Sequence, residues 1–211
     1  MIIHRYGDED SSVVLIQPVD SHDLGLMENE TERIKILSGK SFLMLALETD
    51  DWNSDLSPWP ALPVFGSIPF GGKAEDTLSF ILTNCVEKGD GRKYCIGGYS
   101  LAALFALWAG TKTDVFSAVA AASPSVWFPG FTEYLTGHEM KAADVYLSLG
   151  DREEKTRNPV MREVGWCITE CRDILLAQGR NCVLEWNEGN HFRDSDIRTA
   201  KAFARLLSAD S

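Results

Sequence analysis

Nowhere does this 211-residue chain carry the roughly 20 consecutive apolar residues that a helix needs to cross a bilayer. Its start, Met1-Ile2-Ile3-His4-Arg5, lacks the basic, long-apolar, small-residue order of a secretory leader. Both absences predict a cytoplasmic protein. Positive charge is scarce: 20 Lys and Arg stand against 31 Asp and Glu, for a net charge of −11. Such a field repels phosphate backbones and anionic lipid, so neither a nucleic acid nor a membrane is an expected partner, and polyanionic substrates are disfavoured. Cysteine is sparse and odd in number, five at positions 85, 95, 167, 171 and 182, which fits reduced core thiols rather than a disulfide framework. Cys167 and Cys171 are four apart on an expected helix but lack further ligands nearby, so no metal is expected.

With 45% hydrophobic and 24% charged residues, the composition is that of a globular protein, and the length suits one domain, 1–211. Residues 13–16, Val-Val-Leu-Ile, form a short apolar run ended by Pro18, as expected of a buried parallel strand. Further strands are predicted at 42–47, 94–96, 116–122, 144–149 and 182–186, and helices over 27–37, 78–86, 101–109, 159–179 and 197–207. Residues 101–109 are apolar on every side and predict a central buried helix. Residues 50–72 carry Pro58, Pro60, Pro63 and Pro69, which forbid a continuous helix or central strand and predict a long functional loop. Strand and helix alternate, so the fold class is α/β: a mostly parallel central sheet of about six strands flanked by helices. Sites on such sheets lie at the carboxyl ends of the strands.

One of those ends reads Gly98-Tyr99-Ser100-Leu101-Ala102 between a strand and the apolar helix. A serine on so sharp a turn needs small residues two positions to either side, because bulk there would collide with the neighbouring strand and helix. Ser100 is therefore the candidate nucleophile, and the Leu101 amide, opening the helix, a candidate oxyanion donor. A serine of ordinary acidity needs a base, and of the four histidines only His191 directly follows a late strand. A carboxylate that orients the imidazole belongs after the strand ending at Leu149, where Gly150-Asp151-Arg152-Glu153-Glu154 offers three acids.

In this order, turn at 98–102, acid loop at 150–154 and histidine at 191, the chain resembles the α/β-hydrolase superfamily over nearly its whole length. Within it, the chain resembles compact bacterial esterases of the broad group that includes siderophore and feruloyl esterases. The resemblance implies a Ser-His-acid triad working through an acyl-enzyme. It also implies an acid three positions after the glycine that ends the strand, which ranks Glu153 first and Asp151 second. The superfamily's second oxyanion donor follows the first core strand, commonly marked by His-Gly; here the segment reads Gln17-Pro18-Val19-Asp20-Ser21-His22-Asp23. Val19 or Asp20 is left to donate, since Pro18 has no N–H, and His22 and Asp23 are expected to cap the next helix. Asp51, Trp52, Trp59 and Tyr99 are candidates for the substrate pocket, although Trp59 between prolines equally suits a plug in the domain's own core. Trp127, Phe128 and Phe131 fall where superfamily members insert a lid, but residues 123–143 are too few for a large cap.

These features predict a serine hydrolase needing no cofactor, most simply a carboxylesterase for a small-molecule ester with a neutral or cationic acyl group. An acyltransferase using the same residues, or a non-catalytic binding protein on the same fold, are the alternatives; oligomeric state is not read from the sequence.

Overall fold

The structure, a computed structural model, describes residues 1–87 and 89–208. Along the chain it runs through β1 (Ile2–Gly7), β2 (Val13–Val19), α1 (Ser21–Leu24), α2 (Met27–Ser38), β3 (Leu43–Glu48) and α3 (Trp52–Asp55). Next come β4 (Pro60–Ala61), β5 (Phe70–Gly71), α4 (Ala74–Asn84), β6 (Lys93–Tyr99), α5 (Leu101–Lys112) and β7 (Phe116–Ala122). The chain then forms α6 (Phe131–Gly137), β8 (Asp144–Gly150), α7 (Pro159–Arg162), α8 (Val164–Ala177), β9 (Asn181–Asn187) and α9 (Ser195–Ser208).

Seven strands make the central sheet, in the order β1-β3-β2-β6-β7-β8-β9. Six are parallel; the sequence reading passes over β1, which pairs antiparallel with β3 at the edge. An edge strand buries little: Ile2 and Arg5 are exposed, and only Ile3 and Tyr6 reach the two cores, so β1 carries no apolar run to betray it. The inner strands do carry such runs because both faces are covered. Leu43, Leu45 and Leu47 of β3 face the core under α4, α5, α6 and α8, while Met44 and Ala46 face the one under α2 and α9. Helix α5 lies deepest, with every residue from Leu101 to Thr111 buried.

Two boundaries differ from expectation for physical reasons. Pro18 does not end β2, which continues to Val19. β6 pairs with β2 only as far as Ile16, after which β3 is the one neighbour in register, so a residue without an N–H is tolerated there. The separation of β2 from β6 is also the point where the strand order reverses, the place at which sites on such sheets lie. Nor is 50–72 a free loop. It holds α3 and the β4–β5 pair, buries Leu56 and Phe70, and is tied back by Thr77 Oγ1 donating to Asp55 O at 2.7 Å and Gly72 N to Ser57 Oγ at 2.8 Å. No helix among the described residues is long and apolar enough to cross a membrane.

Candidate active site

Ser100 connects β6 to α5 with φ 57° and ψ −118°, a conformation that side-chain-bearing residues rarely adopt. The turn is held by Ser100 N donating to Ala122 O at 3.2 Å, and by Ser125 N at 3.0 Å and Leu104 N at 3.1 Å donating to Ser100 O. Small neighbours are obligatory. A side chain at Gly98 would run into Ala102, and one at Gly97 into Ala120 and Phe203. The turn thereby lifts the Ser100 hydroxyl off the sheet, while the amide of Leu101 begins an α-helix of 12 residues.

His191 Nε2 lies 3.0 Å from Ser100 Oγ, and its Nδ1 lies 2.7 Å from Glu153 Oε2. Hydroxyl, imidazole and carboxylate thus form one hydrogen-bonded chain assembled from three loops, after β6, β8 and β9. Glu153 is 8% exposed and uses both oxygens. Oε1 accepts from Gly150 N at 2.7 Å, Ser123 Oγ at 2.7 Å and Arg198 Nη1 at 3.0 Å, which leaves Oε2 to His191. Burial would push this carboxyl up, but the His191 hydrogen bond and charge, with the donors from Ser123 and Gly150, outweigh it and hold it below its ordinary value.

The acid and histidine loops are sewn together by backbone bonds: Asp151 N donates to Asn187 O at 2.8 Å and Arg152 N to Gly189 O at 3.1 Å. Asp151, the second-ranked acid, belongs to this stitching. Its Oδ1 accepts from Gly189 N at 2.8 Å, and its side chain lies half exposed beside Arg152, not on the imidazole. Glu154 is exposed and turned toward Gly165 of α8.

At the end of β2, Val19 is fully buried, and its carbonyl accepts from Thr49 N at 3.0 Å. The helix cap nearby is Asp20, whose Oδ1 accepts from His22 N and Asp23 N, both at 2.8 Å; His22 and Asp23 receive the cap instead of supplying it. Tyr99 does not turn its hydroxyl to an open pocket. It donates to His191 O at 2.8 Å and accepts from Arg198 Nη1 at 3.1 Å. Burial, then the Glu153 charge, push it up to about 12, so it stays a neutral donor.

The 50–72 segment is fastened to the 123–143 connection by aromatic contacts. Trp59 packs at 5.5 Å on Phe128 and 5.3 Å on Tyr134, and its Nε1 donates to Pro129 O at 3.0 Å. Phe65 lies 5.9 Å from Trp127, and Phe70 5.1 Å from Phe128. Trp59 is therefore a plug between two segments, Trp52 packs against the same core, and Asp51 caps α3 through Ser54 N. Trp127, Phe128 and Phe131 are buried in that core instead of forming a lid.

Sequence reasoning missed three contributors, Ser123, Ser125 and Arg198. Ser125 Oγ is 3.2 Å from Ser100 Oγ. Arg198 offered a signal: it is a cation in the first turn of α9, the end of a helix that disfavours positive charge, which asks for another partner.

No family model matches the chain, and no curated protein matches it significantly. Solved structures do. The siderophore hydrolase EstA from Aspergillus nidulans superposes with a TM-score of 0.70 at 22% identity, over 97% of this chain and 86% of the other. Acyl-protein thioesterase 2 from Zea mays gives 0.61 at 11% identity, over 98% and 99%. The enterobactin esterase FES from Shigella flexneri gives 0.68 at 13% identity over 99% of this chain, which spans only 56% of that one. The likeness is one of fold: the chain has the α/β-hydrolase fold, with no large cap among the described residues.

Proposed function

We propose that this protein is a serine hydrolase, a carboxylesterase that cleaves a small-molecule ester with a neutral or cationic acyl group through an acyl-enzyme. The observation that carries the reading is the hydrogen-bonded chain from Ser100 Oγ through His191 to Glu153 Oε2, built on a strained serine at the carboxyl end of β6. Ser100 Oγ attacks the ester carbonyl while His191 Nε2 takes its proton. Glu153 stabilises the imidazolium and holds the tautomer that leaves Nε2 free to accept. Charge developing on the carbonyl oxygen meets the Leu101 amide and the helix end behind it, joined by an N–H of the loop that follows β2, at Val19 or Asp20. The alcohol leaves with the proton from Nε2, and a water deprotonated by His191 then attacks the acyl-serine and restores the free hydroxyl. The net charge of −11 favours neutral or cationic acyl groups over anionic ones. Cys85, Cys95, Cys167 and Cys171 are buried as core thiols are, which supports a reducing cytoplasmic setting.

The test is labelling with a fluorophosphonate probe, in the wild type and in Ser100→Ala. Labelling of the wild type and none of the variant is expected. A folded wild type that fails to label overturns the enzymatic reading, and labelling that survives in Ser100→Ala moves the nucleophile elsewhere.

A further inference from the structure

Arg198 is 2% exposed and is the one buried cation among the described residues. It reaches the acid of the site from the helix that follows the histidine loop. Its Nη1 donates to Glu153 Oε1 at 3.0 Å, Tyr99 Oη at 3.1 Å and Ser123 Oγ at 3.2 Å, and its Nη2 to Glu188 O at 3.0 Å. One planar group therefore joins the ends of β6, β7, β8 and β9. Gly150 makes room for it: a Cβ there would lie 3.0 Å from both terminal guanidinium nitrogens. A buried ion pair is costly to desolvate and adds little net stability, so its presence behind the acid calls for a role in the site.

We propose that Arg198 is a positioning residue that divides the Glu153 carboxylate, holding Oε1 so that Oε2 stays aimed at His191 Nδ1, and that its charge lowers the proton affinity of the Glu153–His191 pair. The inference rests on Ser100, His191 and Glu153 as the reacting groups, and Arg198 touches neither substrate nor nucleophile. Without this cation a buried carboxylate beside the imidazole would bind the shared proton more tightly and leave His191 protonated at higher pH, unable to accept from Ser100.

Other charges face the pair from the surrounding elements. Asp151 and Arg152 of the acid loop, and Glu188, Arg193 and Asp194 of the histidine loop, lie at the rim in contact with one another: Arg152 with Asp151 and Glu188, both at 3.8 Å, and Arg193 with Glu188 at 2.9 Å and Asp194 at 3.3 Å. Their side chains are about half exposed or more, so salt screens them. On the α2 side, Asp23, Glu30 and Asp196 line a small cavity together with Tyr99. Arg198 alone among these charges bonds to the acid.

Two measurements test the proposal. His191 titration is followed by NMR in the free protein, assigned with His191→Gln, and the acidic limb of kcat/KM is followed with p-nitrophenyl acetate. In Arg198→Met and Arg198→Gln the apparent pKa of the pair should rise by about one unit in both readouts, whereas in Arg198→Lys it should stay at the wild-type value. Arg198→Lys, with one ammonium in place of a fork, should lose about tenfold in kcat. A titration unmoved in the neutral variants overturns the electrostatic role, and wild-type kcat in the lysine variant overturns the positioning role. If neither neutral variant folds, the lysine variant decides alone: an upward limb shift in it also overturns the proposal. Because the NMR titration needs no turnover, its result stands apart from the fluorophosphonate result on which the enzymatic reading depends.

Discussion

The Tyr99 hydroxyl donates to the main-chain oxygen of His191 at 2.8 Å, so the residue that precedes Ser100 holds the backbone of His191 while both imidazole nitrogens serve other partners. The same hydroxyl accepts from Arg198. Tyr99→Phe removes both bonds without emptying the ring's place against the core. It should lower stability by about 1 kcal/mol and kcat severalfold, checked by urea denaturation and ester hydrolysis, with little change in KM.

The two carboxylates of the acid loop make opposite predictions. Glu153→Gln keeps the shape but disturbs the tautomer and removes the charge that steadies the imidazolium, so kcat should fall by about 10³ to 10⁴. Asp151→Asn retains an oxygen for the Gly189 amide and should stay within about threefold of wild type. Steady-state rates with p-nitrophenyl acetate distinguish them, and equal, full activity in both would leave only Ser100 and His191 in the mechanism.

Trp59 tells a plug from a pocket wall. Its bond to Pro129 O and its packing on Phe128 and Tyr134 predict that Trp59→Leu costs about 2 kcal/mol in urea denaturation and leaves KM for a small ester nearly unchanged. A KM raised more than tenfold at unaltered stability would instead make it part of the substrate surface.

Asp23 carries a pH dependence. Burial, then the Asp20 charge, raise its carboxyl from 3.8 to about 6. A raised carboxyl binds its proton more tightly when folded. The stability that comes with protonation is complete below the unfolded value near 4 and lost as pH rises through about 6. Asp23→Asn should therefore raise the stability at pH 7, read by urea denaturation, by an amount of order 1 kcal/mol, and the gain should vanish by pH 4. An equal gain at both pH values would point to a packing effect.

The alternation of apolar runs and amphipathic helices was enough to read the α/β sheet, because burial on both faces leaves a two-sided apolar signature in strands such as 43–48 and 116–122. β1 lacked that signature, since an edge strand that is only partly covered can carry His4 and Arg5 between Ile3 and Tyr6. The turn around Ser100 was legible because sharp backbone geometry restricts side-chain size locally. Choosing between Glu153 and Asp151 was not a local question: both are acids in one turn, and only the fold shows that Asp151 is occupied by Gly189 N while Glu153 reaches Nδ1. Arg198 and Ser123 were hidden for the same reason, being 45 and 30 residues from the acid they touch.

The aromatic stitching between the 50–72 and 123–143 segments has a kinetic consequence. Both segments are anchored in the same core through Trp59, Phe70, Trp127 and Phe128, so neither can swing away without exposing several large rings to water at once. On the proposed chemistry, ester would reach Ser100 by encounter with a rigid rim and not by waiting for a gate. Changes of solvent viscosity should then act on capture of the ester far more than on the acylation step that follows.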